Sequence, residues 1–442
     1  MRTLELIAVL ALRAGMSVVH PQCISSNDSY PVPTFIDLDK YLSFNVKLFA
    51  EVLPEEGNFV FSPYTVWRNL LLIYLGSEGR TLKELESALP SFSKVEALTV
   101  FRATAMMYQV PGALEAHFTT SNRLYLDEDL HIRDCVLDFL KESIMQVEFD
   151  KPHIAAKHIN SAIEEDTEGK VRETVLTDDL HDNQAVLVTA AYFKSVWEQP
   201  FLRENTALGK FFTKNDAYLT VNMMHHVGHF RKTHSQSLAA SILELPFLGD
   251  TASMFIVLPD KKDIDNDLYY VLQNLEPLTK SVFFVAAKPR TRVSVTMPKF
   301  TMESTVMERL KKTLGRLKIE DLFSKNANLS AFIDEDFGED GETGPKYEKE
   351  KGGGTGEARR DGGSAAGVGK SAAVRVNAIE KAVVEVDEQG LSPDRGGDPN
   401  PALRVIHHTR LFECVRPFAY FIVGNRNKAI LFMGVYRGPM EG

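Results

Sequence analysis

Apolar residues recur at spacings of three and four from Asp37 to Leu53 (DLDKYLSFNVKLFAEVL) and again from Thr81 to Leu89, after a Ser77-Glu78-Gly79 break. That period predicts two amphipathic helices. Between them Asn58 to Ser62 (NFVFS) is a short apolar run closed by Pro63 and predicts a strand. A further helix is expected near Phe92 to Tyr108, so residues 35 to 180 read as mostly helical. From about residue 185 the pattern changes to short runs rich in β-branched and aromatic residues: Ala185 to Phe193 (AVLVTAAYF), Ser253 to Leu258, Val282 to Ala287, Val293 to Met297, Lys381 to Val386 and Ala429 to Val435. These predict strands, with one helix from Ser304 to Leu314 among them. Helices early and strands late predict an α+β fold and argue against alternating βαβ units.

Two stretches depart from a globular pattern. Residues 335–374 are dense in Gly, Glu, Lys and Arg and nearly empty of large apolar side chains. Burial there cannot offset the entropy of ordering, so a disordered surface insertion is expected. At the N-terminus an apolar stretch from Leu4 to Leu12, followed by Arg13, Ala14 and Gly15, is too short to span a bilayer. It reads as a signal peptide over residues 1–22 and predicts a secreted, extracellular protein.

Composition narrows the choice of partners. With 442 residues, 44% of them hydrophobic, the chain can bury a large core. Its net charge of -10 predicts no general affinity for nucleic acid or an anionic membrane. Cys23, Cys135 and Cys414 allow at most one disulfide and contain no CxxC metal spacing. Asn27-Asp28-Ser29 and Asn328-Leu329-Ser330 are glycosylation sequons, usable if the chain is exported. Neither a G-x-S-x-G elbow nor an H-E-x-x-H pair occurs, so enzymatic catalysis is not expected. His225, His226, His229 and His234 lie close in sequence without nearby carboxylates and read as a surface cluster rather than a metal site. No cofactor is implied, and the Phe92 to Tyr108 helix lacks the basic stripe a glycosaminoglycan would need.

Read in order, many segments resemble the serpin signature. They are Asn58-Phe59-Val60-Phe61-Ser62-Pro63, Leu75-Gly76-Ser77-Glu78-Gly79-Arg80-Thr81, Thr167-Glu168-Gly169-Lys170-Val171, and Tyr192-Phe193-Lys194 with Trp197 and Pro200-Phe201. Glu244-Leu245-Pro246-Phe247, Met297-Pro298-Lys299-Phe300, Asp321-Leu322-Phe323, Lys381 to Val386, and Arg416-Pro417-Phe418 with Leu431-Phe432-Met433-Gly434 follow. The resemblance implies one serpin domain over residues 35–442, with three β-sheets, about nine helices and an exposed reactive-centre loop near 388–412. It also implies a monomeric trap: a serine protease cuts the loop, and the loop inserts into the central sheet with the protease attached.

The family's hinge falls on Glu388-Gln389-Gly390-Leu391 followed by Ser392-Pro393-Asp394-Arg395, and only Glu388 and Gly390 match it well. Side chains of an inserting strand alternate between the two faces of the sheet, and the family register turns Leu391, Pro393 and Arg395 inward. Pro393 lacks the N–H a central strand donates, and Arg395 would carry a charge into a buried layer. Insertion is therefore expected to be slow, partial or absent. Counting forward from Gly390 places the scissile bond at Arg404-Val405, whereas counting back from Pro417 reaches Ile406. Arg404 suits a trypsin-like protease, whose specificity pocket carries a carboxylate, and Arg410 is the second candidate. In the shutter that lets the sheet open, relatives carry serines, an asparagine and a histidine, where this chain has Ser62, Thr65, Thr189 and Glu380. A buried Glu380 would need a hydrogen-bond donor. Two functions are expected: a suicide-substrate inhibitor of a trypsin-like serine protease, or a non-inhibitory binding or carrier protein that proteases cut without being trapped.

Overall fold

A computed structural model describes residues 38–90, 93–109, 116–213, 217–260, 264–275, 285–333, 373–388 and 409–439. Eight α-helices are described from end to end: α1 (Leu38–Val52), α2 (Pro63–Gly76), α3 (Gly79–Ala88), α4 (Lys94–Gln109), α5 (Asp134–Leu140), α6 (Pro152–Asp166), α7 (Ile264–Gln273) and α8 (Glu308–Arg316). The strands are β1 (Phe59–Phe61), β2 (Ala116–Asp127), β3 (Ile144–Val147), β4 (Ala185–Ser195), β5 (Ala207–Phe212), β6 (Tyr218–Ser235) and β7 (Ala240–Pro246). They continue as β8 (Ala252–Pro259), β9 (Thr291–Pro298), β10 (Phe300–Val306), β11 (Val376–Val386), β12 (Arg410–Glu413), β13 (Phe418–Gly424) and β14 (Ile430–Tyr436).

Three pairing blocks result, as the α+β reading requires. One sheet runs β10-β11-β4-β2-β3. The second runs β1-β14-β13-β8-β7-β6, and the third joins β5, β6, β9 and β12. These two share β6: its Arg231–Ser235 part pairs with β7, and its Met223–Phe230 part pairs with β9.

The apolar run AVLVTAAYF does not alternate because both faces of β4 are covered. Val186, Val188 and Ala190 meet Ala155, Ile159 and Ile163 of α6 on one side. Ala185, Leu187, Ala191 and Phe193 enter the main core on the other. Helix α2 starts where Ser62 accepts a hydrogen bond from the Thr65 N–H and Pro63 takes the first turn. It ends at Gly76, where any side chain would collide with the ring of Phe332.

Three expectations are corrected. The twelve-residue strand β2 lies in the region read as helical. Its Thr119 to Arg123 stretch dilutes the apolar pattern, and its place is set by antiparallel pairing with β4. Ser304 to Val306 belong to β10, and the helix expected from Ser304 begins at Glu308. Val285 and Ala286, expected in a strand over 282–287, are helical, a common ambiguity for short apolar runs. The rest of the insertion and the leader lie outside the described residues, but Ala373 bridges Asn328 and Val374 is buried.

Candidate functional site

The centre of the five-stranded sheet is a parallel pair, β4 beside β11, in register from Val376↔Ala185 to Val384↔Phe193. Both outer neighbours, β10 and β2, are antiparallel to it. A strand that followed β11 and turned back between the two would run antiparallel to both. It would replace one parallel pairing by two antiparallel ones, the more stable kind per residue.

All four predicted shutter residues meet beneath this pair. Thr189 and Glu380 are register partners, and the Thr189 hydroxyl donates to the Ile379 carbonyl at 3.4 Å. The Ser62 N–H donates to Glu380 Oε1 at 3.0 Å, and the Ser62 hydroxyl donates to the Leu431 carbonyl at 2.8 Å. The Thr65 hydroxyl donates to the Ser62 carbonyl at 3.0 Å. Glu380 is completely buried, and its Oε2 has no partner among the described residues. Burial holds its carboxyl well above the usual carboxylate range, and the single Ser62 N–H opposes this only in part. The expected donor is thus half supplied, and burial favours the protonated, neutral form of the side chain. Lys381, next in sequence, points to the other face and pairs with Glu303 at 2.6 Å.

The end of β11 is clasped. Lys194 of β4 bridges Glu385 at 3.0 Å and Asp387 at 2.9 Å. The Trp197 indole, stacked on Phe247 at 4.6 Å, donates to the Asp387 carbonyl at 2.8 Å. Glu388, the one hinge residue described, accepts from the Phe201 N–H through its carbonyl at 2.9 Å and pairs with Lys299 at 2.8 Å. Burial would raise its carboxyl, but the Lys299 ammonium and hydrogen bonds hold it below its ordinary value. Lys194, Trp197 and Lys299 stood in the signature segments without being recognised as site residues. Their only sequence signal was that position.

A group held below its ordinary pKa stabilises the fold above the unfolded value, and that stability is lost as pH falls through the folded value. Lys299→Met is accordingly expected to lower stability by about 1 kcal/mol at pH 7, because Lys299 is partly exposed. The difference from the wild type should begin to shrink as pH falls below the unfolded carboxyl value of about 4.3 and vanish once the lowered folded value is passed, in melting curves taken across pH.

Gly390, Leu391, Pro393, Arg395, Arg404 and Val405 lie outside the described residues. At the far end of the expected loop, Arg410 to Phe412 form β12 in register with Val293 to Val295, so the connection from β11 to β12 ends at residue 409. Phe412 is buried, which fixes this short strand.

Asn27 lies outside the described residues. Asn328 is half-buried, and its side-chain oxygen accepts from the Ser330 N–H at 2.9 Å. The histidines diverge: His225 bonds Thr296 at 3.0 Å, His234 reaches Asp260 at 3.0 Å, and His226 packs on Phe201. No three metal-ligating side chains cluster among the described residues. Cys135 is disulfide-bonded, and Cys414 is a buried free thiol. No helix among the described residues is long and apolar enough to cross a membrane.

Comparison with known proteins agrees with this architecture. The chain is 26% identical over 409 residues to antichymotrypsin-2 of Bombyx mori, covering 89% of this chain and 96% of that one. It is 27% identical over 395 residues to a serine protease inhibitor of Cyanea capillata, covering 87% and 93%. The crystal structure of Manduca sexta serpin-12 superposes with a TM-score of 0.72 at 23% identity, over 91% of this chain and 99% of that one. The serpin (serine protease inhibitor) family profile matches residues 39–439. With these pairings and a profile match over most of its length, the chain belongs to the serpin family.

Proposed function

We propose that this serpin is a secreted, monomeric suicide-substrate inhibitor of a trypsin-like serine protease, cleaved at Arg404-Val405. The observation that carries the reading is the direct pairing of β4 with β11. The sheet is closed, so the stabilisation available from one more strand is still unspent. Residues 387–409, between β11 and β12, are the segment positioned to supply that strand. After acyl-enzyme formation, insertion beside β11 would carry the attached protease along the sheet. Export is supported by the leader and by the disulfide at Cys135, a bond that persists in oxidising compartments.

The test is incubation with trypsin followed by denaturing electrophoresis. A covalent complex is expected, absent in Arg404→Gln. Clean cleavage with fully active protease would overturn the inhibitor reading. The second reading, a serpin-fold binding protein that is only a substrate, is favoured by Glu380, whose unpartnered oxygen occupies the place of a shutter imidazole, and by the Pro393 and Arg395 hinge.

A further inference from the structure

All fourteen residues of α2 are buried, and one of them, Arg68, is charged. Arg68 is 5% exposed. Its guanidinium lies 4.9 Å from the ring centroid of Phe101 on α4 and 6.0 Å from that of Tyr64. Neither an ion pair nor a hydrogen bond reaches it from any described residue, and its Nε is sealed from solvent without a partner.

Among the described residues no counter-charge faces it. Tyr64 is the one titratable neighbour acting on Arg68; burial pushes its hydroxyl up to about 12, and that hydroxyl donates to the Thr104 carbonyl at 3.0 Å. The Thr104 hydroxyl is spent on the Val100 carbonyl at 2.8 Å. Buried charges in folded proteins are paired, and ring contacts recover only part of the cost of desolvating a guanidinium.

We propose that Arg68 anchors an internal site in the seam between α2 and α4 for one oxyanion head group carried on an apolar body, as in a carboxylate with a hydrocarbon tail. A guanidinium presents its N–H donors in a planar fork, the geometry a two-point carboxylate contact needs. The walls are aromatic: Phe101, Tyr64, and Phe118, whose ring centroid is 6.0 Å from that of Tyr64. A single cation among rings matches a single negative charge with an apolar remainder better than a multiply charged phosphate, which needs more donors.

The test measures thermal midpoints of the wild type, Arg68→Met and Arg68→Lys in sodium chloride, sodium sulfate and sodium octanoate at equal ionic strength. Titration calorimetry of octanoate and of sulfate into the wild type reads binding without relying on any variant. Octanoate is expected to bind and to raise the wild-type midpoint saturably. Arg68→Lys should keep a weaker response, and Arg68→Met should lose at least about tenfold in affinity, the usual scale for a charge-assisted contact. A sulfate response as strong as that of octanoate assigns the site to a free oxyanion; octanoate alone assigns it to a tailed carboxylate. No binding heat with either anion, or equal shifts in the wild type and Arg68→Met, overturns the proposal.

Discussion

Combining Pro393→Ala with Arg395→Ser is expected to raise the yield of covalent trypsin complex, relative to cleaved free protein, by at least about tenfold. Trapping is a race between loop insertion and hydrolysis of the acyl-enzyme, and each 1.4 kcal/mol or so removed from the insertion barrier is worth a factor of about ten. Pro393 removes a ladder hydrogen bond from the incoming strand, and Arg395 would desolvate an unpaired charge, each a penalty of that order or more. The readout is the number of inhibitor molecules consumed per protease inactivated, together with the melting temperature of the loop-cleaved form. Both cleaved forms should melt above the intact protein, the double variant further above it than the wild type. If the wild-type cleaved form already melts far above the intact protein, the hinge is no obstacle and the argument fails.

Glu380→Gln is expected to remove the contribution to pH dependence that the wild type shows from about pH 4.3 up to the raised folded-state pKa of Glu380. The folded-state pKa of Glu380 is raised above its unfolded value, so the folded protein keeps a proton that the unfolded chain releases. Stability is then full below the unfolded pKa of about 4.3. It falls by up to about 1.4 kcal/mol per pH unit until the folded pKa is passed. The amide keeps the Ser62 contact, cannot ionise, and should give a flat profile that lies above the wild type at pH 8 and close to it at pH 4. Denaturant midpoints from pH 4 to 9 test this. The shutter joins the helix that starts at Ser62 to the parallel strand pair, so wild-type sheet opening, followed by polymer formation on mild heating, should also accelerate as pH rises. A polymerisation rate equally pH-dependent in Glu380→Gln would place the titrating group elsewhere.

The fold was legible where local pattern and tertiary burial agree. The runs AVLVTAAYF and KAVVEV predict strands, and they form the β4–β11 pair. The ordered motifs pointed to the shutter positions, which do converge. Legibility failed where long-range pairing overrides local composition. In β2 the segment from Thr119 to Arg123 is polar yet holds a strand because β4 lies alongside it. The clasp was hidden for the same reason: Lys299 and Glu388 are 89 positions apart, and no local period relates them.

By itself the sequence determined the secondary-structure class and the family, and it sets the chemistry expected of the segment between β11 and β12. Those follow from side-chain type and order along the chain: a proline cannot donate a hydrogen bond wherever it is placed, and an arginine suits a carboxylate-lined pocket in any fold. Only the tertiary structure decided which polar groups lose their water and what they find instead. Glu380 and Arg68 look like ordinary charged residues in the chain. Folding leaves one oxygen of Glu380 and the Nε of Arg68 buried without a hydrogen-bond partner among the described residues. Desolvation depends on everything packed around a group, not on its neighbours in sequence. That is why the acid under the shutter and the unpaired cation in the α2–α4 seam emerge only once the chain is folded.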